Sequence, residues 1–157
     1  MRIGFGYDVH RFKKGRKCVL CGVEIPSEIG PDGHSDADVP VHALMDALLG
    51  AVGQGDIGRH FPDASEEYRG ISSIMLLQRV YDILCANGYA ANNIDCTIVC
   101  QKPKLAAFLP EMAENIRVAL HMIEGTVNVK ATTEEGLGFT GSSEGIAAHA
   151  VCTVVIN

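Results

Sequence analysis

From Val39 to Val52 the apolar residues Val41, Leu44, Met45, Leu48, Leu49 and Val52 recur at i, i+3, i+4, i+7, i+8 and i+11. A helix with 3.6 residues per turn brings that set onto one side, so the segment predicts an amphipathic helix with its apolar face in a core. Asp38 stands at the N-cap position, and Pro40 falls in the first turn, where its missing N–H would have had no partner. His42 and Asp46 flank the apolar stripe one turn apart, which lets Asp46 orient the His42 ring.

The rest of the chain alternates strands and helices. Arg2 to His10 and Lys17 to Ile25 read as strands joined at Lys13-Lys14-Gly15, which predicts a hairpin. Pro26 to Asp36 contains the turn signal Pro31-Asp32-Gly33, and Gly50, Gly53, Gly55 and Gly58 crowd the exit of the first helix, as a C-cap and loop or as a close approach to a ligand. Further along, Ile71 to Ala86 and Leu105 to Ile123 have helical character, while Asn93 to Gln101, Val127 to Thr132 and Ile146 to Ile156 read as strands. The order β-β-α-α-β-α-β-β mixes hairpins with crossovers and predicts an α+β sandwich, a mixed sheet with helices on one face. A length of 157 residues, 47% of them hydrophobic, fits one domain over residues 1–157.

A formal charge of −6 without basic runs argues against a nucleic-acid partner, and no apolar run is long enough for a membrane span. The chain starts in strand-like sequence without a leader, and its six cysteines sit among aliphatic residues, as free thiols do in a reducing compartment; a cytoplasmic location is expected. Cys18-Val-Leu-Cys21 lacks a second Cys-x-x-Cys, so metal or redox chemistry there is the lesser alternative to core packing.

Three segments carry chemistry. In Asp8-Val9-His10 the one-residue gap puts both polar side chains on the same strand face, and with His42 they form an Asp, His, His set suited to zinc with one position left open. The bland alternative for His42 is a partly buried core histidine. Lys130 to Gly141 follows a strand with hydroxyls, carboxylates and glycines, suited to phosphate oxygens and a hard cation, or to a polar turn. Cys100 to Ala106 is a strand exit with two lysines near a proline, open to nucleotide binding or to a solvated loop.

Asp8-Val-His10, His34-Ser-Asp-Ala-Asp38, His42-Ala-Leu-Met-Asp46, Gly55-Asp-Ile-Gly58, Phe61-Pro-Asp63 and Val127-Asn-Val-Lys-Ala-Thr-Thr133, in this order, resemble the 2-C-methyl-D-erythritol 2,4-cyclodiphosphate synthase family of the non-mevalonate isoprenoid pathway over essentially the whole chain. The resemblance implies a homotrimer of α+β subunits with active sites at their junctions. It also implies the conversion of 4-diphosphocytidyl-2-C-methyl-D-erythritol 2-phosphate to the cyclic diphosphate with release of CMP. Asp8, His10 and His42 would hold zinc, and Glu135 a second cation, magnesium or manganese. His34 and Thr133 would stabilise the transition state, with Ser35 on phosphate and Asp8, Val9 and His10 beside the substrate. Asp56, Ile57 and Gly58 would bind the methylerythritol moiety, enclosed by Phe61, Pro62, Asp63, Ala64 and Ser65. Cys100, Gln101, Lys102, Pro103, Lys104, Leu105 and Ala106, together with Thr132 and Thr133, would form the cytidine-phosphate pocket that a neighbouring chain contributes to each site, and Glu134 and Phe139 complete the substrate-contacting set.

Three positions depart from the family pattern. Glu134 stands where Thr or Ser is frequent, Gly136 where a basic residue is common, and Ser142 where arginine lines a trimer cavity that can hold an isoprenoid diphosphate. Serine lacks the charged fork for that contact. Two other functions remain compatible with the residues: a metal-dependent nucleotide-diphosphate phosphohydrolase, and a non-catalytic trimeric protein that binds zinc or a terpenoid diphosphate.

Overall fold

In a computed structural model, which describes residues 1–62, 68 and 70–157, the chain runs β1 (Arg2–Lys14), β2 (Cys18–Leu20), β3 (Val23–Ile25), β4 (Ile29–Pro31), α1 (Val39–Ala51), α2 (Ile57–His60), α3 (Ser73–Ala86), β5 (Tyr89–Val99), α4 (Leu109–Ala119), β6 (Val127–Thr132), α5 (Gly138–Gly141) and β7 (Gly145–Ile156). The main sheet has the order β4-β1-β7-β5-β6, parallel between β5 and β6 and antiparallel elsewhere. The expected α+β class with a mixed sheet is the observed one. Burial alternates along β1, so Gly4, Gly6 and Asp8 face the helices while Ile3, Phe5, Tyr7 and Val9 are exposed on the opposite face.

The first helix forms where its periodicity placed it, but it is buried nearly all round. Among its members only Asp46 and Gly50 escape burial, because α1 lies between the sheet and α3. Leu44, Met45, Leu48 and Leu49 are fully buried and contribute about 2 kcal/mol each. Gly4 and Gly6 let this helix lie directly on β1: a Cβ at Gly4 would sit 1.8 Å from the Ala47 carbonyl oxygen, and one at Gly6 1.9 Å from that of Ala43. The same close approach carries His42, next to Ala43, over Asp8.

Several boundaries differ from the expectation. The strand expected over residues 17–25 is a separate two-stranded hairpin, β2 with β3, folded at Cys21 and Gly22, both at positive φ. Instead of pairing with it, β1 continues through Lys14 and pairs with β4 and β7. The buried Asp38 explains why the small hairpin folds there: its carboxylate accepts the N–H groups of Cys21 and Gly22, each at 2.8 Å, as well as Val41 N–H at the start of α1. Burial, reinforced by nearby Asp36, pushes the Asp38 carboxyl up to about 7 against those hydrogen bonds.

The helix expected over 105–123 spans only Leu109–Ala119, since Pro110 is tolerated in a first turn and would break a helix begun at Leu105. Leu105 instead packs into the core. Among the described residues no helix is long and apolar enough to cross a membrane.

Candidate functional site

Asp8 and His10 project from β1 and His42 from the first turn of α1, so that one ligand-type atom from each lies within 4.8 Å of the others. Asp8 Oδ2 stands 3.2 Å from His10 Nε2 and 3.2 Å from His42 Nδ1. The other nitrogen of each ring settles its proton. His10 Nδ1 lies 2.6 Å from the Asp32 carbonyl oxygen, which can only accept, so Nδ1 carries the hydrogen and Nε2 a lone pair. His42 Nε2 meets Ser73 Oγ at 2.9 Å, and the Ser73 hydroxyl already donates to Asp36 Oδ1. His42 therefore donates from Nε2 and turns the Nδ1 lone pair towards Asp8.

Both rings are within ion-pair distance of Asp8, yet as neutral tautomers neither offers it a proton. Asp8 Oδ2 is buried and has no hydrogen-bond partner. Burial alone would push this carboxyl up, whereas a proton held towards it on either imidazole, that of His10 foremost, draws it down to about 2; without such a proton the carboxylate calls for another positive partner. Three electron-pair donors converging around an unsatisfied carboxylate oxygen fit a divalent cation, and two nitrogens with one oxygen suit zinc.

The surrounding residues explain how the rings are held. A Cβ on Gly33 would fall 2.9 Å from His10 Cε1, so this glycine is what lets the 31–35 loop rest on the ring. Gly33→Ala should tilt His10 and weaken metal affinity roughly 10-fold, as a chelator competition would read. Ser35 is turned inwards: its Oγ accepts Ala37 N–H at 3.1 Å and lies 3.3 Å from His42 Nε2. Asp46, expected to orient His42, instead accepts Ile57 N–H at 2.8 Å and fixes the start of α2, while Ser73 and Ser35 do the orienting. Burial raises the Asp46 carboxyl.

The other expected residues fall into separate places. His34 is exposed, its carbonyl tied to Gly70 N–H at 3.1 Å. Asp56 caps α2 through Arg59 N–H at 3.1 Å, with Ile57 and Gly58 in that helix, and Phe61 packs edge-to-face on Tyr68. Pro62 is exposed, while Asp63, Ala64 and Ser65 lie outside the described residues. A cleft of about 240 Å³ at the ends of β5 and β6 is lined by Cys100, Pro103, Lys104, Leu105, Ala106, Thr132 and Thr133, together with Leu109 and Ala131. The strand exit and the post-β6 segment thus meet in one concavity.

Gln101 and Lys102 belong to the same strand exit but do not line this cleft. Burial pushes the Cys100 thiol up to about 11, which leaves it neutral and no nucleophile. Glu135 is exposed after β6, its N–H on Thr133 Oγ1 at 3.3 Å, whereas Glu134 receives the hydroxyl of buried Thr140 and faces α5, the helix that carries half-exposed Phe139. Cys18 and Cys21 are free, buried thiols pushed up by burial, so the core reading of that pair holds.

Sequence reasoning missed Ser73. It lies far along the chain from His42, and its only local mark is a place at the start of the third helix.

Fold and site together define an α+β protein with a preorganised Asp8, His10 and His42 group that could hold a metal ion and a separate cleft at the ends of β5 and β6. The YgbB family model matches residues 1–155. A 2-C-methyl-D-erythritol 2,4-cyclodiphosphate synthase from Clostridium botulinum (strain Alaska E43 / Type E3) is 56% identical over 155 residues, 99% of this chain and 99% of its own. The solved structure of a 2C-methyl-D-erythritol-2,4-cyclodiphosphate synthase in its CDP-bound form has a TM-score of 0.90 at 34% identity, covering 98% of this chain and 100% of that one. The bifunctional IspDF from Campylobacter jejuni reaches a TM-score of 0.95 at 41% identity over 99% of this chain, which spans 42% of that longer protein. The chain belongs to the YgbB family, the 2-C-methyl-D-erythritol 2,4-cyclodiphosphate synthases, lyases of the non-mevalonate isoprenoid pathway.

Proposed function

We propose that the chain performs its family's cyclodiphosphate synthesis with Asp8, His10 and His42 as zinc ligands and Glu135 as the ligand of magnesium or manganese. The observation that carries the zinc reading is the buried, unpartnered Asp8 Oδ2 facing two imidazole lone pairs. For the second cation, one exposed carboxylate completed by substrate phosphates is an ordinary magnesium arrangement. When bound, these cations neutralise diphosphate charge and align the phosphorus for in-line attack.

The substrate is 4-diphosphocytidyl-2-C-methyl-D-erythritol 2-phosphate. An oxygen of its own 2-phosphate attacks the β-phosphorus, a new P–O bond closes the ring, and the bond to the α-phosphate breaks as CMP leaves. No protein nucleophile takes part, in keeping with the neutral Cys100 thiol. His34, exposed on its loop, and the Thr133 hydroxyl donate to the phosphate oxygens as charge spreads over them. Asp8, Val9, His10 and Ser35 border the diphosphate. Asp56, Ile57, Gly58 and Phe61 to Ser65 hold and enclose the methylerythritol unit. Residues 100–106 with Thr132, Thr133, Glu134 and Phe139 take the cytidine-phosphate side, which the CDP-bound relative supports.

The working unit is a homotrimer of single-domain chains in the cytoplasm. One continuous hydrophobic core and the family match over 1–155 support a single domain. Supporting the trimer, the outer sheet face exposes Ile3 (68%), Phe5 (63%), Tyr7 (44%) and Val151 (44%), an apolar surface suited to a self-association interface. Strands β7 and β5 also separate β1 from β6, roughly 14 Å for three strand spacings, so a cleft from a neighbouring copy can complete the metal centre. Phosphorus NMR of the product tests the function: a cyclic diphosphate with CMP is expected, and a linear methylerythritol bisphosphate as main product would overturn it.

A further inference from the structure

We infer that Arg16 is a positioning residue for the metal centre, acting through the 31–35 loop; the inference rests on reading Asp8, His10 and His42 as ligands. Arg16 lies between β1 and β2, outside the metal group. Its Nε donates to Pro31 O at 3.4 Å, and its Nη2 to Gly33 O at 3.0 Å and Ser35 O at 3.5 Å. The guanidinium also stands 3.7 Å from Asp32 Oδ1. One side chain thus spans the loop from end to end.

That loop is where both imidazoles are steered. Asp32 O fixes the His10 tautomer, Gly33 rests against the His10 ring, and Ser35 Oγ reaches His42 Nε2. The segment belongs to no helix or strand beyond Pro31, so its carbonyls need an outside donor to stay in place. Arginine suits this because several N–H groups are set in one rigid plane and the charge persists at every working pH. Lysine offers a single point of attachment. Lys13 provides the comparison: its Nζ is 3.6 Å from Asp32 Oδ2, so it places a point charge at the loop's carboxylate without a planar fork for the carbonyls.

The test uses Arg16→Ala, Arg16→Lys and Lys13→Ala in the full chain. Zinc affinity is read by chelator competition, and the histidine tautomers by ¹⁵N NMR of the metal-free protein. Both Arg16 variants should bind zinc roughly 10–100-fold more weakly. They should also replace the single Nδ1–H tautomer of His10 by a mixture, while Lys13→Ala matches the wild type. Turnover of Arg16→Lys should return to near wild type at saturating zinc, because Arg16 is not itself a ligand. If Arg16→Ala fails to fold, Arg16→Lys decides alone.

Wild-type zinc affinity and tautomers in the Arg16 variants would overturn the inference, whatever their thermal stability. A wild-type protein without zinc affinity would overturn the ligand reading instead, and the tautomer signals would still decide the role of Arg16.

Discussion

Gly6→Ala is expected to cost roughly 3–5 kcal/mol of folding stability, lowering the melting temperature by about 10 °C or more in a thermal unfolding scan. The added methyl would lie 1.9 Å from the Ala43 carbonyl oxygen and 2.8 Å from Ala47 N. These are backbone atoms of a buried helix, so relief requires moving α1 away from β1 as a unit. Such a shift opens the contact beneath Leu44 and Leu48 and draws His42 off Asp8, so metal affinity should fall with stability. Gly50→Ala is the control. It lies in the same helix with nothing within 4 Å of its added Cβ, and should stabilise by about 0.5–1 kcal/mol.

His42→Ala should remove zinc and activity together, with turnover down roughly 10³-fold, about 4 kcal/mol of transition-state stabilisation. A centre of three protein ligands reduced to two keeps little affinity at ordinary free zinc concentrations. The loss also leaves the Ser73–Asp36 pair without its third member and Asp8 Oδ2 with one lone-pair neighbour instead of two. Folding should survive, since the apolar body of α1 is untouched. Metal analysis beside steady-state kinetics checks the coupling. Full turnover with undiminished zinc would remove His42 from the ligand set.

The parts legible in the sequence are those set by short-range periodicity. The helical recurrence of Val41 to Val52 and the one-residue gap in Asp8-Val-His10 each follow from local geometry, and they locate all three residues of the group that could hold a metal. Gly4 and Gly6 went unread, although glycines repeating with period two in a strand mark a close backbone approach on one face. Contacts across the fold were not legible. Asp46 lies one turn from His42, which favours an orienting bond, yet the N–H of Ile57 at the start of α2 offered the carboxylate a better partner. Ser73 took the orienting role from a helix whose packing no local pattern specifies. The hairpin at Cys21 and Gly22 was hidden because the apolar run of residues 18–25 reads as one strand until Asp38 gathers its turn.

Anomalous scattering at the zinc edge, from crystals grown with zinc, tests the metal centre directly. The expected map has one peak enclosed by Asp8 Oδ2, His10 Nε2 and His42 Nδ1, with His10 Nδ1 still on the Asp32 carbonyl and His42 Nε2 on Ser73. A map without that peak, or one with either ring turned to present its other nitrogen, would contradict it.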